Sequence, residues 1–155
     1  MTLISARFAS RSDSTNIYEW RNDPLTRRMS KNKKLIEWSN HVNWFNKSFV
    51  SNDIKLIICE LGYRDKIAFI KFQIDNEVAL VSMNLNPIHR GQGLAKYCLI
   101  DSIDLFKKSC VNIKLLIAEI KGENIASQKT FKSVGFKLNK IKDEFGYYEK
   151  ILELN

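Results

Sequence analysis

Leu85-Asn86-Pro87-Ile88-His89-Arg90-Gly91-Gln92-Gly93-Leu94-Ala95 runs from the end of an apolar, strand-like segment through a loop with two glycines into a helical pattern. Glycine reaches φ above zero and lets another group approach the backbone. Consecutive N–H groups and a helix N-terminus can then surround a phosphate without any side chain. The stretch therefore predicts a pyrophosphate cradle. A Walker loop would need Gly-Lys-Ser/Thr at its end, and a dinucleotide fingerprint would need a third small residue where Lys96 stands. Both are absent. A lone Gly-x-Gly is also what an ordinary tight turn looks like, so its surroundings have to decide.

Downstream of the loop, Ala95, Cys98, Leu99, Ile103 and Phe106 recur at helical spacing and predict a helix over Leu94 to Lys108. A strand is predicted over Ile113 to Ile120. Gly122-Glu123-Asn124 then opens a short helix with Phe131 and Val134 on its inner side, and Gly135 stops it. Phe136 to Ile141 and Tyr147 to Leu154 read as the last two strands. Upstream, Ile54 to Leu61, Ile67 to Ile74 and Val78 to Leu85 form an antiparallel meander with turns near Gly62 and at Asp75-Asn76-Glu77.

Before the meander, Leu35, Trp38, Val42, Phe45 and Phe49 mark the buried stripe of an amphipathic helix, with His41 and Trp44 on the neighbouring face. Leu3 to Phe8 suits an opening strand. Ser12-Asp13-Ser14-Thr15 favours the start of a helix through Ile17 and Trp20. Asn22-Asp23-Pro24 ends that helix, because a residue before proline is pushed out of the helical region. The order β α α β β β α β α β β, with no repeat and no linker, predicts an α/β protein with a mixed sheet.

The 155 residues suit one domain, and 45% apolar content with only 2 prolines excludes a disordered chain. Cys59, Cys98 and Cys110 show no Cys-x-x-Cys spacing, so they read as buried thiols in a reducing compartment and not as a metal site. Met1 to Ser10 lacks the apolar run of a signal peptide and no later stretch is long enough to span a bilayer, so a cytoplasmic protein is expected. Lys and Arg number 25 against 17 Asp and Glu, a formal charge of +8. Such a surplus attracts anions, whether nucleic acid, acidic membrane or phosphorylated small molecules, or is simply a solvated surface.

Over nearly its full length the chain resembles the GNAT N-acetyltransferases, whose first motif ends a strand with an aliphatic-x-Pro and continues Arg-Gly-x-Gly-x-Gly/Ala, here Leu85 to Ala95. Their second motif is Asn, two residues, Ala or Ser, then an aromatic and Gly-Phe. Asn124, Ser127, Phe131 and Gly135-Phe136 stand at those places. The resemblance implies the acyl-CoA N-acyltransferase fold: a mixed, mostly antiparallel seven-stranded sheet flanked by about four helices. It also implies acetyl-CoA as co-substrate and no metal. By resemblance Leu85, Arg90, Gly91, Gln92, Gly93, Leu94, Ala95, Lys96, Asn124, Ser127 and Phe131 bind the cofactor. Amides from Gln92 to Lys96 would hold the pyrophosphate, the strand edge near Leu85 would pair with the pantetheine amides, Asn124 would hydrogen-bond pantetheine, and Ser127 would leave room for it.

Glu119 is the candidate general base. On a strand Ile113, Leu115, Ile117 and Glu119 share a face, so the carboxylate would end an apolar stripe where desolvation raises its pKa. Its position five residues before Asn124 is where the ribosomal-protein alanine N-acetyltransferases, relatives by resemblance, carry a proposed base. A carboxylate that has simply reached solvent is the other reading. The expected chemistry is direct attack of a neutral amine on the thioester. In many family members a tyrosine protonates the departing thiolate, at the position filled here by Phe131, which cannot. Tyr147 and Tyr148 are substitutes, but as neighbours on a strand they point to opposite faces.

Trp20-Arg21-Asn22-Asp23-Pro24 and His41-x-x-Trp44-Phe45 are similar to the opening helices of the UDP-4-amino-sugar N-acetyltransferases of the pseudaminic acid pathway. The similarity implies that Trp20, Arg21, Asn22, His41 and Trp44 bind an amino-sugar nucleotide: arginine on diphosphate, tryptophan on uracil or sugar, histidine on a hydroxyl. Core tryptophans, an arginine on helix carbonyls and a structural histidine are the plainer readings. Positive charge disfavours a polyamine acceptor. An enzyme acting on protein N-termini comes second and a non-catalytic coenzyme A or RNA binder third. No membrane partner is expected, and the protein would be a monomer or homodimer.

Overall fold

A computed structural model of the protein describes residues 3–153; Leu154, predicted to end the last strand, lies outside the described residues. Among the described residues seven strands form one sheet: β1 (Ile4–Phe8), β2 (Ile54–Leu61), β3 (Asp65–Asp75), β4 (Val78–Leu85), β5 (Leu115–Lys121), β6 (Lys137–Lys142) and β7 (Phe145–Ile151). Five α-helices accompany them: α1 (Ser14–Arg21), α2 (Pro24–Arg28), α3 (Trp38–Val50), α4 (Ala95–Ser109) and α5 (Ile125–Ser133). The sequence predicted four. The extra helix is the short α2, whose first residue is Pro24 and whose N-terminus Asp23 caps by accepting a hydrogen bond from the Thr26 amide.

The strand order is β1-β2-β3-β4-β5-β7-β6, and every neighbouring pair is antiparallel except β4 and β5. A parallel pair needs a crossover connection, and α4 supplies it between β4 and β5. Helices cover the sheet on both faces, as the continuous apolar stretch Leu56 to Cys59 in β2 requires. Ile57 and Cys59 join Cys98, Leu99, Ile103 and Phe106 of α4 in the larger core, where Phe72 stacks on Phe106 at 4.1 Å between centroids. Leu56 and Ile58 point the other way, onto Ile17 and Trp20 of α1 and Phe45 of α3.

Two expectations fail here. The buried ridge of α3 is His41, Phe45 and Ser48, while Leu35 lies before the helix and is exposed, as is Trp38. His41 can take a core position because Ser14 and Arg21 satisfy its ring nitrogens. Of the three cysteines, Cys110 is only half-buried, since it sits where α4 ends.

Candidate active site

Strands β4 and β5 pair only at Val78–Leu115, Ala79–Leu116 and Leu80–Ile117. Beyond Leu80 β4 stays paired to β3 alone, through Val81–Phe72 to Leu85–Ala68, so its other edge carries free backbone amides and carbonyls. Between the diverging strands opens a cleft of about 1080 Å³. It is lined by Val81 to Leu85, Ile117 to Lys121, the glycine loop with the start of α4, and Asn124, Ser127, Thr130 and Phe131 of the α5 segment.

The loop has the predicted geometry. Gly91 and Gly93 sit at φ 74° and 72°, where a side chain is strained, and a Cβ on either would meet nothing within 4 Å. The space beside the backbone is therefore open for a ligand. The first backbone hydrogen bond of α4 runs from Cys98 N–H to the Leu94 carbonyl, which leaves the amides of Ala95, Lys96 and Tyr97 without partners inside the helix. These N–H groups, at the positive end of a helix of 15 residues, suit the negative charge of a pyrophosphate. His89, given no role from sequence, anchors this loop: it is buried, with Nε2 3.1 Å from Asp65 Oδ1 and Nδ1 3.3 Å from Gln92 Oε1.

Arg90 is a correction. Its guanidinium donates to Asp23 Oδ2 and Thr26 Oγ1, so the side chain ties the loop to α2 and is not free for the cofactor. Asn124 caps α5, its Oδ1 accepting from the Ser127 amide at 3.2 Å, which leaves its NH₂ for a ligand. Phe131 is buried, edge-on to Phe136.

Glu119 lines the cleft, but not as the end of a buried stripe. The buried face of β5 is Leu116, Ala118 and Ile120, and the opposite face, with Ile117 and Glu119, is more open. Beside the Glu119 carboxylate stands the Lys31 ammonium, held above its ordinary pKa chiefly by that hydrogen bond. The desolvation argument therefore does not carry over to the structure. Register places Tyr147 opposite Glu119 and Tyr148 opposite Ala118. Tyr147 thus shares the face of Glu119, and Tyr148 is buried in the core.

None of the residues predicted to bind the acceptor lines the cleft. Trp20 packs in the smaller core at 4% exposure and His41 is fully buried, so neither offers surface to a ligand. Burial holds His41 below its usual pKa, with the Arg21 charge adding to the effect. Asn22 spends both ends of its amide on the Ile36 backbone, pinning the loop between α2 and α3. Arg21 lies over the Trp44 ring at 4.0 Å. Against the same ring, at 5.9 Å, is Lys71 of β3, a cleft residue that sequence reasoning missed. The only sequence signal for it was a lysine interrupting an otherwise apolar strand. Burial lowers the pKa of both Arg21 and Lys71, Arg21 lowers Lys71 further, and neither has an ion-pair partner among the described residues.

A cleft between splayed parallel strands, with a glycine loop and helix N-terminus at one side, binds an acyl-CoA. The family model of the acetyltransferase (GNAT) domain matches residues 4–137, and the chain belongs to that family. It is an acetyl-CoA-dependent N-acetyltransferase. A domain from Methanocaldococcus jannaschii DSM 2661 has the same fold, with a TM-score of 0.82 at 21% identity over 98% of this chain and 100% of that one. Spermidine N-acetyltransferase from Vibrio cholerae, solved with CoA and spermine, gives 0.83 at 15% identity over 96% and 95%. The yncA protein from Salmonella typhimurium, solved with acetyl-CoA, gives 0.77 at 19% over 97% and 94%. No curated protein matches the chain. Among the described residues no cluster of His, Cys, Asp and Glu could hold a metal ion, and no helix is long and apolar enough to cross a membrane.

Proposed function

We propose that the acceptor is a primary amine on an anionic small molecule, the 4-amino group of a UDP-linked amino-deoxysugar, and that the protein works in the cytoplasm as a single domain. The charge of the cleft carries this reading. Lys71, Arg90, Lys96, Lys121 and Lys129 line it against two carboxylates, Glu119 and Glu123, and both carboxylates are already paired with the chain's own cations, Glu119 with Lys31. Of these, Lys71 is partly buried and, like Arg21 behind it, has no counter-ion among the described residues, an arrangement that a phosphate group would relieve. A polyamine acceptor would need the reverse, an excess of unpaired carboxylates.

The amides of the glycine loop and of the α4 N-terminus would hold the pyrophosphate, and the free edge of β4 would pair with the pantetheine arm. The thioester supplies an activated acyl carbon and a thiolate leaving group. Glu119 would take the proton that the amine sheds as it attacks, and a β4 amide would hold the developing oxyanion. Tyr147, on the face of Glu119, would protonate the thiolate, the task Phe131 cannot perform.

The test compares kcat/KM for a UDP-linked 4-amino-6-deoxysugar with that for the same sugar lacking the nucleotide. Charge-assisted contacts to the diphosphate predict a loss of about tenfold or more without it. Equal values for the two acceptors would overturn the reading.

A further inference from the structure

Lys31 is held in an unusual place for a lysine of an exposed loop. Its loop is fixed on both sides, by Ser30 Oγ donating to the Thr26 carbonyl at 2.8 Å and by the Asn22 amide clasping the Ile36 backbone. Between these anchors the Lys31 ammonium reaches across the cleft to β5 and β7. There it donates to Glu119 and lies 3.5 Å from the Tyr147 hydroxyl. It also stands 5.4 Å from the Phe145 ring centre and 5.6 Å from that of Tyr147. A carboxylate, a phenol oxygen and two aromatic rings converging on one –NH₃⁺ make a site for a primary ammonium. Lys140 also approaches the Tyr147 ring, at 5.2 Å. Glu119, Lys31 and Phe145 all line the acetyl-CoA cleft.

We propose that Glu119, Tyr147 and Phe145 form the subsite for the acceptor's ammonium group, and that in the free protein Lys31 fills it as a built-in competitor. The inference rests on the proposed role of Glu119 as the group that receives the acceptor amine. Lys31 then marks where that amine sits before it gives up its proton. Its side chain keeps 55% of its exposure, so the pair it makes is weak and an incoming ammonium can displace it without disturbing the fold.

Two variants test this, each by acceptor kinetics and by NMR titration of the Phe145 and Tyr147 rings with propylammonium chloride at constant ionic strength. Lys31→Ala removes the competitor and should lower both the acceptor KM and the apparent Kd for propylammonium by about two- to fivefold, the worth of an exposed ion pair. Acetyl-CoA affinity should not change. Phe145→Leu keeps the apolar bulk but loses the ring face, and should raise both values by about two- to fivefold. An acceptor KM that stays level or rises in Lys31→Ala would overturn the inference while leaving turnover, and so the proposed function, intact. Propylammonium binding that tightens as expected in a protein that turns over no amine would leave the subsite standing and remove the catalytic reading.

Discussion

Replacing Gly93 by alanine separates what the glycine loop does for the fold from what it does for acetyl-CoA. Gly93 has φ of 72°, and an added Cβ would meet no atom within 4 Å. The cost to the fold is thus conformational alone, about 1–2 kcal/mol for an L-residue held in the left-handed region. For a chain of this size that lowers Tm by about 2–8 °C. Gly62, in the β2–β3 turn, has φ of 62° with equally open surroundings and does not line the cleft, so Gly62→Ala should lower Tm by a similar amount. The two variants differ at the ligand. A residue that relaxes away from φ 72° swings the flanking amides out of the cradle, and the loss of one charge-assisted amide contact weakens acetyl-CoA by about tenfold or more. Calorimetric titration of acetyl-CoA into both variants, alongside thermal melts, reads the two effects separately. If Gly93→Ala binds acetyl-CoA as tightly as Gly62→Ala does, the loop is only a turn and the cradle is refuted.

Glu119→Gln should lower kcat by about 10²–10⁴-fold with acetyl-CoA affinity unaltered, and unchanged turnover in a thiol-release assay would remove Glu119 from the mechanism. Stability should fall in mild acid. His41 titrates below its usual 6.5 in the fold, so the unfolded chain binds a proton that the folded chain refuses. Its contribution is complete above pH 6.5 and drains away as the pH drops below it, giving a lower urea midpoint at pH 5.5 than at pH 7.5; equal midpoints would contradict the buried neutral ring. Asp13→Asn should cost about 2–3 kcal/mol in urea unfolding, less than for a sealed pair because Arg7 and Lys66 are partly exposed. Burial alone would raise the Asp13 pKa, but hydrogen bonds from Arg7, Lys66 and the Ser10 amide outweigh it and hold the carboxyl well below 3.8. The stability it contributes is therefore present above pH 3.8 and lost as the pH falls through the depressed value, and a variant as stable as the parent would refute the network.

The glycine loop and the start of α4 were legible in the sequence because their signals are local. Glycine conformations, a helix start and the alternation of β4 all reside within Val78 to Ala95, and the turn between β4 and α4 follows from them. The acceptor side was not. The stripe predicted for α3 held at Phe45 and Phe49 but failed at Leu35 and Trp38 and missed His41, because apolar spacing cannot show that Ser14 and Arg21 satisfy His41 from another helix. Glu119 was read as the end of an apolar stripe or as a carboxylate that had reached solvent, and neither reading foresaw Lys31 beside it, from a loop that reaches β5 only in the folded chain. Tyr147 and Tyr148 were indistinguishable until the register of β7 against β5 set Tyr147 beside Glu119. Lys71 became visible as a cleft residue only when Trp44 and Arg21 were brought beside it by α1 and α3.

We propose acetyl transfer from acetyl-CoA to an amine on an anionic nucleotide sugar. Thiol release by the purified protein, measured against UDP-linked 4-amino-6-deoxysugars, peptides with small N-terminal residues, and spermidine, separates this acceptor from the others. Turnover is expected on a nucleotide sugar, with none above background on spermidine. Turnover on spermidine or peptides with none on the sugars would contradict it.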